Sequence, residues 1–171
     1  MTKTLFTIGY EGANIANFLA TLSVAGVTHL IDIRDVPASR KPGFSKNSLS
    51  IALKDHSIGY SHFKALGDPK TGRDAMRRGD YATFLSIYND HIEQDAGQAS
   101  LKDVLAIASE KTSVLLCFER DYKLCHRMLV ADRLKGLASF EVSHIGVQPM
   151  KPLPRVGGSD ARHTRTPAAV I

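Results

Sequence analysis

One stretch limits the folds open to this chain more than any other: Ser113 to Leu137, SVLLCFERDYKLCHRMLVADRLKGL. From Val114 to Phe118 it is apolar without interruption. That is the pattern of a short strand buried on both faces, as in a parallel sheet. A charged turn follows, Glu119-Arg120-Asp121, and then Leu124, Met128, Ala131 and Leu134 recur at helical spacing. The first helical turn carries Cys125, His126 and Arg127. A thiol, Cys117, and a carboxylate, Glu119, therefore stand where a strand hands over to a helix. In an open α/β sheet that edge is where ligands bind, and helix N-termini favour anions.

The rest of the chain repeats this layout. Thr4 to Ile8 predicts a strand closed by Gly9, and Asn14 caps a helix whose apolar face is Ile15, Phe18, Leu19 and Leu22. His29 to Ile33 predicts the second strand. Two parallel strands joined by a right-handed crossover are the default for such a unit. A stiff loop runs from Asp32 through Arg34, Pro37, Arg40 and Pro42 to Phe44, and Ser45 caps a helix through Leu49, Ala52 and Leu53. Ile58 to Phe63 predicts strand three. Leu66 to Asp80, with Gly67, Pro69, Gly72, Gly79 and four basic residues, predicts a long basic surface loop suited to a lid. Tyr81, Phe84, Leu85, Tyr88 and Ile92 mark another helix, Ser100 caps a short one through Leu105 and Ala108, and Phe140 to Ile145 predicts the last strand. The expected fold is a single Rossmann-like α/β domain over residues 1–147, with about five mostly parallel strands and helices on both faces. Residues 148–171, with four prolines and paired glycines, read as a basic, largely disordered tail.

Composition narrows the function classes. At 171 residues the chain is long enough for one real core. No apolar run approaches the roughly 20 residues of a membrane span, and Met1 to Phe6 lacks a signal-peptide layout. Two cysteines argue against a disulfide scaffold and suit a reducing cytoplasm. The net charge is +5, but residues 148–171 carry +3 of it, so basicity is weak support for a nucleic-acid surface. No glycine-rich phosphate loop points to ATP or NAD, and the cofactor, like the substrate, is not legible. The oligomeric state is not legible.

The strand ends carry the functional reading. Tyr10 follows strand one, Asp32 and Arg34 end strand two, His62 ends strand three, and Cys117 and Glu119 end strand four. In a parallel sheet these all lie at one edge, the basis for a site. Arg34, Arg40 and Arg127 are the fork-shaped donors that fit phosphate oxygens, with Tyr10, His62, Cys125 and His126 beside them. Cys117, Glu119 and Asp32 are the candidate nucleophile or base. The first expectation is thus a phosphate-bearing ligand, a nucleotide or a nucleic acid, with enzymatic activity as an option. The bland readings stay open: Cys117 as a small apolar packing residue, Cys125 as core beside Met128 and Leu129, Asp32 and Arg34 as a structural ion pair. Sulfur or phosphate transfer similar to rhodaneses is an alternative, since Asp32-Ile33-Arg34 is similar to their pattern. Cys117 and Arg127 lie ten positions apart, however, too far for the tight anion-cradling loop of those enzymes. Metal binding is a further alternative. One pair of cysteines spaced by seven residues is a poor match to structural zinc, and no metal ligand set is assigned. A non-enzymatic nucleic-acid module finds few aromatics among the basic residues.

Several motifs together resemble the uncharacterised prokaryotic family called domain of unknown function 488. They are Thr7-Ile8-Gly9-Tyr10 with Phe18, Asp32-Ile33-Arg34 with Pro37, Ser39-Arg40 and Pro42-Gly43-Phe44, Tyr60 with Leu66-Gly67, Leu116-Cys117-Phe118-Glu119, and Cys125-His126-Arg127. The resemblance covers roughly residues 4 to 137. It implies a compact α/β fold and a clustering of these residues, and it supplies no reaction. Tyr10 stands where that family often has histidine.

Overall fold

The computed structural model describes residues 2–149. The tail expected over 148–171 lies outside the described residues from position 150 onward. Five strands form one parallel sheet: β1 (Lys3–Gly9), β2 (His29–Asp32), β3 (Gly59–His62), β4 (Ser113–Cys117) and β5 (Phe140–Ile145). Their order across the sheet is β3-β2-β4-β1-β5. The helices are α1 (Ile15–Val24), α2 (Lys46–Asp55), α3 (Lys70–Arg77), α4 (Tyr81–Ile92), α5 (Asp95–Glu110) and α6 (His126–Leu137). The Rossmann-like α/β architecture is the one expected from the sequence.

Alternation along the strands divides the core in two. Ile8, Leu30, Val114 and Leu116 pack on one side with Phe18 and Leu22 of α1 and Leu49 and Leu53 of α2. Leu5, Ile31 and Leu115 pack on the other with Ala75, Phe84, Tyr88, Val104 and Leu134 from the last four helices. Right-handed crossovers account for this split. The chain steps from β1 over β4 to β2 and on to β3, with α1 and α2 on one face. It then returns to β4 and steps over β1 to β5, with α3 to α6 on the other face. The helices that follow β1 and β4 therefore leave on opposite faces, and a crevice opens between the carboxyl ends of these neighbouring strands. All of β4 is buried, as its uninterrupted apolar run requires.

Two segments differ from the sequence reading. The stretch expected to be a basic loop or lid, Leu66 to Asp80, starts at the end of a helical turn over Lys64–Leu66 and then forms α3. Pro69 sits at the N-cap of α3, where a missing N–H costs nothing. Gly72 lies against the Asp68 side chain, where a Cβ would collide with Oδ1. The proline and glycine thus start and seat a helix instead of breaking one. Likewise α5 begins at Asp95 and carries Ser100 inside it. Within it, Gly97 packs against the Ile92 carbonyl too closely for any Cβ.

Candidate functional site

The carboxyl edge of the sheet holds a cavity of about 500 Å³. Tyr10 after β1, Arg34 after β2, and Cys117, Phe118 and Glu119 at the end of β4 line it, with His126 from the first turn of α6. Ser39, Arg40, Asp68, Arg73 and Arg77 close its other side.

Cys117 is 4% exposed and ends the buried strand with its sulfur at the cavity floor. Its Sγ lies 2.8 Å from a Glu119 carboxylate oxygen and 3.7 Å from His126 Nδ1. His126 is fixed from its far side: Nε2 lies 2.9 Å from the Ile33 carbonyl oxygen, to which it donates. That bond leaves Nδ1 facing the sulfur. Burial by itself would push the Cys117 thiol up. A hydrogen bond from Cys125 and the charge of His126 outweigh it, and the thiol is held well below its ordinary range. The partner responds in the opposite sense. Burial disfavours a charged His126, but the neighbouring Cys117 thiolate raises it to about 9. Glu119 is raised to about 7, first by burial and then by the thiolate. The three groups thus act on one another, the Cys117 thiol being held down while the His126 imidazole and the Glu119 carboxyl are held up.

Cys125 stands outside this cavity and lines an adjoining one with Asp68, Phe118, Glu119 and His126. It caps α6, its sulfur accepting the Arg127 backbone N–H at 3.5 Å. Burial and then the Cys117 thiolate keep its thiol well above the ordinary range. Cys117 Sγ, Cys125 Sγ and His126 Nδ1 lie within 4.8 Å of one another, a set also spaced to hold a thiophilic divalent ion.

The other residues expected from the sequence divide into those that reach the cavity and those that build its walls. Asp32 is fully buried and takes both ends of the Arg34 fork, at 2.8 and 2.5 Å, and the Tyr60 hydroxyl at 2.7 Å. Arg34 also donates to the Tyr10 hydroxyl and the Phe44 carbonyl, and Tyr10 stacks on Phe44 at 4.4 Å. Asp32 is thus committed to holding a wall of the cavity. His62 Nε2 bonds the Arg34 carbonyl at 2.7 Å and fixes the start of the same loop. Arg40 lines the cavity, is exposed, and has no ion-pair partner among the described residues. Arg127 sits at the same edge of the sheet but points away from the cavity. It is 1% exposed, donates to the carbonyls of Glu119 and Arg120, and lies so close to Gly9 that a Cβ there would meet its guanidinium. Its role is to clamp the loop that carries Glu119.

Sequence reasoning missed Asp68. It is 7% exposed, and its Oδ1 has no hydrogen-bond partner. Burial pushes its carboxyl up to about 6, against the pull of His126 and Arg73. Arg73 and Arg77 were legible only as loop charges. In the fold, Arg73 pairs with Asp35 at 2.9 Å and bonds the Asp68 carbonyl. Asp68 yields a prediction. A carboxyl raised in the folded state stabilises below its unfolded pKa of about 4, and that contribution disappears as pH climbs through about 6. Asp68→Asn is therefore expected to raise Tm at pH 7.5 and to leave it unchanged at pH 4. A fall in Tm at pH 7.5, read by calorimetry, would contradict this.

Fold and site together define a Rossmann-like α/β domain with a cysteine–histidine pair at a carboxyl-edge cavity. The chain belongs to the family described as domain of unknown function DUF488, whose model matches residues 14–134. No curated protein and no solved structure matches it. Among the described residues, no helix is long and apolar enough to cross a membrane.

Proposed function

We propose that this chain is a cysteine-dependent enzyme that acts on a phosphate-bearing ligand, a nucleotide or the end of a nucleic acid, in a reducing compartment such as the cytoplasm. The observation that carries the reading is the Cys117 sulfur 3.7 Å from the anchored His126 Nδ1, at the floor of an open cavity. A nucleophile, a basic partner and a third group orienting that partner form the arrangement from which nucleophilic catalysis is recognised. The phosphate is supported by Arg40, Arg73 and Arg77 on the cavity wall. Arg40 is unpaired among the described residues, and Arg77 is held only by an exposed contact of 3.4 Å to Asp74.

In the reaction, Cys117 Sγ attacks the electrophilic phosphorus of the bound ligand. The P–O bond to the leaving group breaks, and the leaving oxygen takes the proton of Glu119, a carboxyl raised to about 7 and so suited to the task. Glu119 then removes a proton from water, the water oxygen attacks phosphorus, and the S–P bond breaks to restore the thiolate.

A thermal-shift screen with inorganic phosphate, nucleotides and short oligonucleotides tests the binding half. Phosphate-bearing probes are expected to raise Tm, and Arg40→Ala and Arg77→Ala to weaken binding by on the order of tenfold each. No shift with any phosphate-bearing probe would sink the reading. A chelator wash is expected to change neither result. Loss of one tightly held zinc per chain, together with newly exposed Cys117, would favour metal binding at the same three atoms.

A further inference from the structure

Cys125 is a buried nucleophilic group that the proposed reaction does not use. It is as enclosed as Cys117, and its sulfur, that of Cys117 and His126 Nδ1 lie within 4.8 Å of one another. We propose that Cys117 and Cys125 form a reversible dithiol–disulfide pair oxidised by hydroperoxides, with Cys117 the sulfur oxidised first and Cys125 the thiol that resolves it. The part assigned to Cys117 rests on its being the nucleophile of the site.

The geometry supplies what such a pair needs. Cys117 ends β4 and Cys125 caps α6, and the short loop between them carries Phe118 and Leu124 at the surface, 45% and 56% exposed. The two sulfurs start within 4.8 Å of each other, and the disulfide requires them to close to about 2.05 Å. Cys117 opens on the cavity, through which a small peroxide can enter. The two thiols are also biased in opposite directions, Cys117 towards thiolate and Cys125 towards thiol. This is the division between an attacking and a resolving cysteine.

The Cys117 thiolate attacks one oxygen of the hydroperoxide. The S–O bond forms, the O–O bond breaks, and the departing alkoxide or hydroxide takes a proton from solvent. Sulfur is oxidised by two electrons and the peroxide reduced by two. The negative neighbour that kept Cys125 protonated is then gone, and Cys125 gives its proton to the Glu119 carboxylate. Cys125 Sγ attacks the sulfenic sulfur, the S–S bond forms, and hydroxide leaves to be protonated as water. Two molecules of a low-molecular-weight thiol reverse the change by exchange, the first forming a mixed disulfide with the chain and the second releasing the two as a small disulfide.

The test is to treat the full chain with one equivalent of hydrogen peroxide and map its peptides. The expected product is a cross-link between Cys117 and Cys125, removed by dithiothreitol. Cys125→Ser is expected to accumulate sulfenic acid at Cys117, trapped by dimedone, and with excess peroxide to pass on to sulfinic acid with loss of recovery by dithiothreitol, while the unaltered chain recovers. Full recovery of Cys125→Ser after excess peroxide, or sulfenic acid at Cys117 without a cross-link in the unaltered chain, would overturn the proposal. Alkylation of the reduced chain with iodoacetamide, run in parallel, separates the two readings. If Cys117 resists alkylation, the nucleophile reading fails. If Cys117 is alkylated but no cross-link forms, only the disulfide fails.

Discussion

Cys117→Ser is expected to lower turnover of the phosphate-bearing ligand by on the order of 10⁴-fold or more while leaving its binding unchanged. The scale follows from what removal of a nucleophile costs where the nucleophile and its partner act as a unit. Serine nearly matches cysteine in size, so β4 stays packed and the cavity keeps its shape. The hydroxyl cannot stand in for the thiol, because its proton is far harder to remove in a site built to hold a thiolate. Replacing His126 should produce a loss of similar size, and the double variant should lose little more than either single one. Independent roles would instead give losses that multiply. The measurement is single-turnover kinetics on each variant, with the ligand Kd measured separately. Equal losses in Kd and in rate would show that Cys117 only shapes the pocket.

Asp32→Asn is expected to produce the largest loss of stability of any single change at the site. Asp32 and Arg34 form a buried pair 2.5 Å apart, with Asp32 fully enclosed and Arg34 nearly so. Removing one partner leaves the other charge buried and uncompensated, at a cost of about 3–5 kcal/mol. For a chain of this size that corresponds to a fall in Tm of roughly 6–20 °C. The loss should spread to the cavity wall, because Arg34 also holds the Tyr10 hydroxyl and the Phe44 carbonyl. Adding Arg34→Met to Asp32→Asn should recover part of the loss, since no charge then remains to be buried. Calorimetry on the two variants decides it. A double variant less stable than Asp32→Asn alone would mean that Arg34 stabilises this region mainly through the backbone it holds.

The sequence carried the strand–helix unit around Cys117 plainly, because a buried parallel strand needs an unbroken apolar run and the helix after it needs a repeating apolar face. It also placed Cys117, Glu119 and His126 together, since strand ends in a parallel sheet share an edge. It could not show that β4 lies between β1 and β2. That order follows from pairings between residues far apart in the chain, Phe6 with Val114 and Leu30 with Val114, which leave no local pattern. Arg127 has the residue type of a phosphate ligand, but the close approach of Gly9 turns it onto two backbone carbonyls. Asp32 and Arg34 have the residue types of a catalytic pair, yet Asp32 spends both oxygens on Arg34 and Tyr60. Asp68 and Arg73 belong to a stretch whose proline and glycines read as loop, and only the packing of α3 brings them to the cavity. Cys125 shares a helical spacing with core residues, but as an N-cap it turns its sulfur toward Cys117 and His126.

The central claim is that Cys117 is an ionised nucleophile open to the cavity. The most direct measurement is its rate of alkylation by iodoacetamide across a pH series, with each cysteine read by mass spectrometry. A thiol held below its ordinary range ionises at lower pH than a free cysteine, so from pH 6 to 8 the rate at Cys117 should climb less steeply than that of a free cysteine. Cys125, held up by burial and by its charged neighbour, should react slowly throughout that range. A rate at Cys117 that climbs about tenfold per pH unit, as for an ordinary thiol below its pKa, would contradict the account. So would a Cys117 that stays unmodified in the folded protein up to high pH.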